Sequence, residues 1–106
     1  MGDRVDFAVE TEMLHDCAIV RVDGELDMAG ASSLEEALSA AEHPYVVVDL
    51  SECTFLDSAG VRAIAAVARE ADRVAVVATD PGIVRVLEIT ALDTAVAVHS
   101  SLEDAR

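Results

Sequence analysis

At 106 residues the chain is the size of one domain, and it would bury roughly 60–70% of the surface its unfolded form exposes. With 53% hydrophobic and only 3% aromatic residues, its core must be built from Val, Ala, Leu and Ile, and the composition excludes a disordered chain. The net charge is -14 and all seven basic residues are Arg, so nucleic acid and anionic membranes are excluded as partners: both need clustered cations.

The first six residues carry no signal pattern, and no segment approaches the roughly 18 consecutive apolar residues of a membrane span, so a cytoplasmic protein is expected. Val5, Phe7 and Val9 alternate with Asp6, Ala8 and Glu10 and predict a strand with one wet face. Residues 17–22 predict a second strand, and the segment 12–16 is short enough to make the pair a hairpin. Gly24 with Asp23, Glu25 and Asp27 then reads as a polar turn. From Ala31 the spacing changes to three and four through Leu34, Ala37, Leu38 and Ala41, which predicts a first amphipathic helix.

Pro44 ends that helix, and residues 45–48 form an apolar run without alternation, as in a strand covered on both faces. A polar link leads to Asp57-Ser58-Ala59-Gly60, after which Val61, Ile64, Ala65 and Ala68 mark the buried stripe of a second helix. Residues 74–78 repeat the buried-strand pattern. Asp80 is placed to cap a third helix with Pro81 at its first position, and Ile83, Val84, Val86 and Leu87 form its apolar face. Residues 95–98 predict a last short strand, and Ser100 or Ser101 a cap for a final turn. The sum is one α/β domain without linker or internal repeat. Its mixed sheet has four to five strands, with an antiparallel hairpin opening and a parallel centre, packed with about four helices.

Catalytic patterns are lacking. His15, His43 and His99 fall on a hairpin turn, a helix end and a strand end, in no metal-ligand or triad spacing. No nucleophile elbow or glycine-rich phosphate loop is present. Asp49 ends a buried strand, as a phospho-accepting aspartate would, but the lysine such a site uses is missing. Cys17 and Cys53 lie in or beside apolar runs and read as buried free thiols.

Ser58 has two compatible readings. Either Asp57 or Ser58 caps the second helix, and the exposed hydroxyl is also a substrate for a kinase. A phosphate there would add about -1.5 to -2 of charge at a helix N-terminus, where backbone N–H groups would accommodate it.

Gly24-Glu25-Leu26-Asp27, Val48-Asp49-Leu50-Ser51, Phe55-Leu56-Asp57-Ser58-Ala59-Gly60 and Val86-Leu87 with Leu92 together resemble the STAS domain, within it the stand-alone bacterial anti-sigma factor antagonists. The similarity spans nearly the whole chain, so residues 1–106 are identified as one STAS domain. The resemblance implies a partner-switching cycle without catalysis or cofactor in this chain. The unmodified antagonist binds an anti-sigma factor that is also a serine kinase, freeing a sigma factor. The kinase, using its own ATP and magnesium, phosphorylates the serine that falls on Ser58 here, and a PP2C-type phosphatase resets it. The docking face implied comprises Asp23, Glu25, Asp57, Ala59, Gly60 and Arg62, on a protein expected to be monomeric when free. A STAS scaffold or regulatory subunit of a signalling or lipid-transport complex, without a phosphoserine switch, is the alternative. A nucleotide-binding or acyl-phosphate protein is a third class. Two departures from the family pattern concern loops: Ala91 stands where glycine is common, at a cost of about 1 kcal/mol if positive φ is needed, and Asp72-Arg73 replaces a glycine-containing turn.

Overall fold

The computed structural model describes residues 7–106. Five strands, β1 (Phe7–Met13), β2 (Ala18–Leu26), β3 (Tyr45–Leu56), β4 (Arg73–Val77) and β5 (Ala97–His99), form one sheet in their sequence order. β1 and β2 are antiparallel, and all later neighbours are parallel. The helices are α1 (Met28–Ala41), α2 (Ser58–Glu70), α3 (Pro81–Ile89) and the short α4 (Leu102–Ala105), with a 3-10 turn at Leu92–Thr94. Because each parallel strand is added on the same side of the last, crossovers of one hand put α1, α2 and α3 on one face. The mixed sheet with its opening hairpin and parallel centre is the architecture expected.

Alternation along the strands sorts the core. Val46, Val48, Leu50, Cys53 and Leu56 of β3 join Leu34, Leu38, Ile64, Ile83 and Leu87 of the three helices. Tyr45 and Val47 point the other way, with Cys17, Ile19, Ala75 and Val77, under Ala105 of α4. The two buried cysteines, both free thiols as expected, therefore lie in separate clusters on opposite sides of the sheet.

Several elements differ from the sequence expectation in extent. Val5 lies outside the described residues. β1 continues through Glu12 and Met13, and the hairpin closes over residues 14–17, with the Leu14 N–H bonded to the Cys17 carbonyl at 2.8 Å. The polar turn at Asp23 to Asp27 is mostly strand: Asp23, Gly24, Glu25 and Leu26 pair with Glu52, Cys53, Phe55 and Leu56 across two register shifts. Gly24 takes a φ of 104° in this irregular stretch, a conformation that glycine adopts without strain. β3 likewise runs through its polar segment to Leu56, since pairing with β2 satisfies backbone groups that local composition assigns to a loop. α1 begins at Met28 rather than Ala31 because Asp27 caps it. β5 begins at Ala97, after Ala95 has closed the 3-10 turn, and Ser101 rather than Ser100 caps α4.

Of the two loop departures, Ala91 does adopt a left-handed conformation, φ 60° and ψ 19°. The turn before β4 needs no glycine: Ala71 ends α2 in extended backbone, and Asp72 and Arg73 are absent from the positive-φ residues. His43, just past the end of α1, is half-buried and structural. Its Nδ1 accepts the Tyr45 N–H at 3.1 Å and its Nε2 lies 3.3 Å from the His15 carbonyl, tying the hairpin turn to the end of α1.

Candidate functional site

Parallel strands that share a direction deliver the N-termini of their following helices to one end of the sheet. At that end Asp27, Asp57 and Asp80 cap α1, α2 and α3. Each side chain accepts backbone N–H groups that a helix N-terminus leaves without intrahelical partners. At α2 the Asp57 Oδ1 takes two of them, from Ala59 at 2.9 Å and Gly60 at 3.2 Å. The cap of α2 is therefore Asp57, and the Ser58 hydroxyl is left exposed at the first position of the helix.

One expectation changes here. The N–H groups that were to accommodate a phosphate on Ser58 are those of the first turn, and Asp57 already holds two of them. A phosphoryl group would gain them only by displacing that carboxylate and uncapping the helix.

Of the other residues assigned to the docking face, Asp23, Glu25 and Arg62 are exposed, and Asp57 and Ala59 half-buried. β2 carries Asp23 and Glu25 to the same end of the sheet as Ser58, since Glu25 pairs with Phe55 and the Asp57 N–H bonds the Leu26 carbonyl at 3.2 Å. Arg62 lies one turn along α2. Gly60 is buried and offers the surface no side chain. A Cβ there would stand 2.7 Å from both Leu26 Cγ and Leu56 Cδ1, so the glycine lets the start of α2 close on the ends of β2 and β3.

The structure also exposes what the sequence reading passed over. Leu26-Asp27-Met28-Ala29-Gly30 and Leu56-Asp57-Ser58-Ala59-Gly60 are the same junction used twice, a five-residue repeat too short to register as a period. Met28 occupies in α1 the place that Ser58 holds in α2. Met28 is 74% exposed and Phe55 is 48% exposed, so this acidic end of the molecule carries two large apolar side chains. The Leu-Asp-x-Ala-Gly match was the available signal for Met28.

Elsewhere the chemistry is structural. Asp49 is only 4% exposed and is satisfied by the Arg21 guanidinium, 3.5 Å from its Oδ2, and by the Ser51 N–H, 3.0 Å from Oδ1. Burial pushes the Cys53 thiol up from its ordinary pKa, as it does that of Cys17. A cleft of about 350 Å³ opens between the far ends of α1 and α2, where Leu38, His43, Val67 and Glu70 are among its walls; Ser58 is not. Among the described residues no cluster of three or more His, Cys, Asp or Glu could hold a metal, and no helix is long and apolar enough to cross a membrane.

This arrangement has close parallels. A family model for the STAS domain matches residues 8–105. The anti-sigma-F factor antagonist RsfB of Mycobacterium tuberculosis is 33% identical over 94 residues, covering 83% of this chain and 77% of its own length. The crystal structure of an anti-sigma factor antagonist from Mycobacterium paratuberculosis superposes with a TM-score of 0.88 at 32% identity, covering 93% of this chain and 90% of that one. The unphosphorylated form of the antagonist SpoIIAA shares the fold at a TM-score of 0.72 and 20% identity, over 92% of each chain. The chain belongs to the STAS domain family, in the group of the anti-sigma factor antagonists.

Proposed function

We propose that this chain is an anti-sigma factor antagonist switched by phosphorylation at Ser58. The unmodified protein binds an anti-sigma factor with serine-kinase activity through the end of the sheet that carries Asp23, Glu25, Asp57, Ala59, Gly60 and Arg62, and a sigma factor is thereby released. Gly60 contributes by bringing α2 close, and the remaining residues by contact.

The observation that carries this reading is that Asp57 alone caps α2, so the Ser58 hydroxyl stands exposed and structurally uncommitted beside it. In the kinase step the Ser58 Oγ attacks the γ-phosphorus of ATP held by the partner. An Oγ–P bond forms, the bond from that phosphorus to the β,γ-bridging oxygen breaks, ADP leaves and the hydroxyl proton passes to a base on the kinase. A PP2C-type phosphatase returns the serine. The cycle belongs in the cytoplasm, where the kinase finds its ATP. The phosphorylated and unphosphorylated forms known for SpoIIAA, a protein of the same fold, support a modifiable STAS surface.

The test is intact-mass measurement after incubation with the cognate anti-sigma factor and ATP. A gain of one phosphoryl group that disappears in Ser58→Ala is the expected result. An unmodified chain, or modification that persists in Ser58→Ala, would reject the site.

A further inference from the structure

The Asp57 carboxylate already accepts the Ala59 and Gly60 N–H groups of the first turn beside Ser58. Charged residues around this end of the sheet are predominantly acidic: Asp23, Glu25, Asp27 and Asp57 all sit on the two adjoining junctions. Arg21 lies beside Asp49 and Glu12, Arg73 stacks over the Tyr45 ring, and Arg106 pairs with Asp16. Arg62 is different. It is exposed, and it follows Ser58 by four residues on one continuous helix. Residues four apart on a helix are neighbours on its surface, and an anion placed N-terminal to its cation is the favoured order.

From this geometry we infer that Arg62 is the internal receptor for a phosphate on Ser58, closing a bridge along the first turns of α2. The guanidinium presents a planar fork of N–H donors that fits phosphate oxygens in pairs. Its long side chain reaches back over one turn while Asp57 keeps its capping bonds, so the helix need not be uncapped. This inference rests on the reading of Ser58 as the modified residue and adds a second effect to the switch. Phosphorylation places a dianion on the docking face, and it also withdraws from that face the arginine assigned to the partner. Arg69 lies on the same side of α2 but eleven residues from Ser58, about 16 Å along the axis, beyond the reach of such a bridge.

The experiment installs phosphoserine at position 58 during synthesis, so that no kinase is required, and follows the second ionisation of the phosphate by phosphorus NMR at fixed ionic strength. Arg62 favours the dianion, so the wild-type phosphate should titrate at least about 0.3 pH unit lower than in Arg62→Gln. Arg62→Lys should recover part of the shift, and Arg69→Gln should leave the wild-type value in place. The Arg62 side-chain N–H resonance should also move on phosphorylation in the otherwise native protein. Identical titration in wild type and Arg62→Gln overturns the bridge. Equal effects of Arg62→Gln and Arg69→Gln overturn it too, because they would report only a general field. Because the phosphate is built in, a bridge that forms while the kinase ignores Ser58 rejects the proposed function alone; a kinase that modifies Ser58 with no bridge present rejects this inference alone.

Discussion

Asp27 and Asp57 are the same residue in two copies of one junction. Each follows a buried leucine at the end of a parallel strand, and their backbones nearly coincide, φ -102° and ψ -167° against φ -112° and ψ -172°. The Oδ1 of each accepts the N–H three residues on, from Gly30 at 3.1 Å and from Gly60 at 3.2 Å. Asp57→Ala and Asp27→Ala should therefore each lower stability by about 1 kcal/mol in urea unfolding. Asp57→Asn keeps a side-chain oxygen in place and should retain most of the stability. A loss in Asp57→Asn as large as in Asp57→Ala would show that the charge, not the cap, supports α2.

Gly60→Ala carries a larger cost. The new methyl would fall within 2.7 Å of Leu26 Cγ and Leu56 Cδ1, both on fully packed side chains at strand ends. Relief requires α2 to back away from the sheet, at about 1–3 kcal/mol by the usual cost of overpacking. That movement would carry Ser58 with it. Denaturant midpoints should fall accordingly, and partner affinity should fall further than the stability loss alone explains.

The layered order of elements was legible because it follows from periodicity. Buried runs at 45–48 and 74–78 and the three- and four-residue spacings on α1 and α2 each encode one face. Extent was less legible. Residues 51–54 of β3 and 23–25 of β2 are polar or small, and they are strands only because the two segments find each other across the sheet. Such pairing is tertiary, and local composition does not contain it. Ser58 was readable from its junction motif, whereas Met28 and Phe55 look like ordinary core residues in the sequence. Their exposure is decided by where the sheet ends. Gly60 was read as a contact residue, but it is hidden by two leucines, one of them 34 residues earlier in the chain.

At Ala91 the left-handed backbone, φ 60°, is occupied by a residue with a Cβ. Ala91→Gly removes that strain but gives the unfolded chain more freedom, so the net gain should be about 0.5–1 kcal/mol. For a chain of this length that is a rise of roughly 2–8 °C in Tm by calorimetry. A fall in Tm would mean that the methyl group makes packing contacts worth more than the strain.

Cys53 predicts an alkaline limit. Burial, the first cause, and the Asp80 carboxylate raise its thiol above the ordinary 9.0, against the opposing backbone bonds of Phe55 and Leu26. In the unfolded chain the thiol ionises first. The folded state thus holds the extra proton as pH climbs past 9.0, and stability drains away until the folded thiol also ionises. Below that range the group contributes nothing pH-dependent. Thermal midpoints of wild type should drop more steeply between about pH 8 and 10.5 than those of Cys53→Ala, which lacks the titrating group. Parallel curves for the two proteins would remove Cys53 as the cause.

On the docking face proposed above, the acidic end of the sheet with Met28 and Phe55 standing out of it calls for a partner with apolar recesses edged by cations. Met28→Ser and Phe55→Ser remove apolar contact without touching the capping network or the core. Each should weaken binding of the anti-sigma factor about tenfold, with little change in unfolding. Ser58→Glu brings charge into the same contact, next to Asp57, and about 2 kcal/mol of lost binding would be some thirtyfold in affinity. Calorimetric titration of the anti-sigma factor with the three variants separates the contributions. Loss in all three places docking and switch on one surface. If Ser58→Glu binds as tightly as wild type while Met28→Ser and Phe55→Ser do not, the surface docks a partner without a phosphoserine switch, and the chain acts as a STAS scaffold.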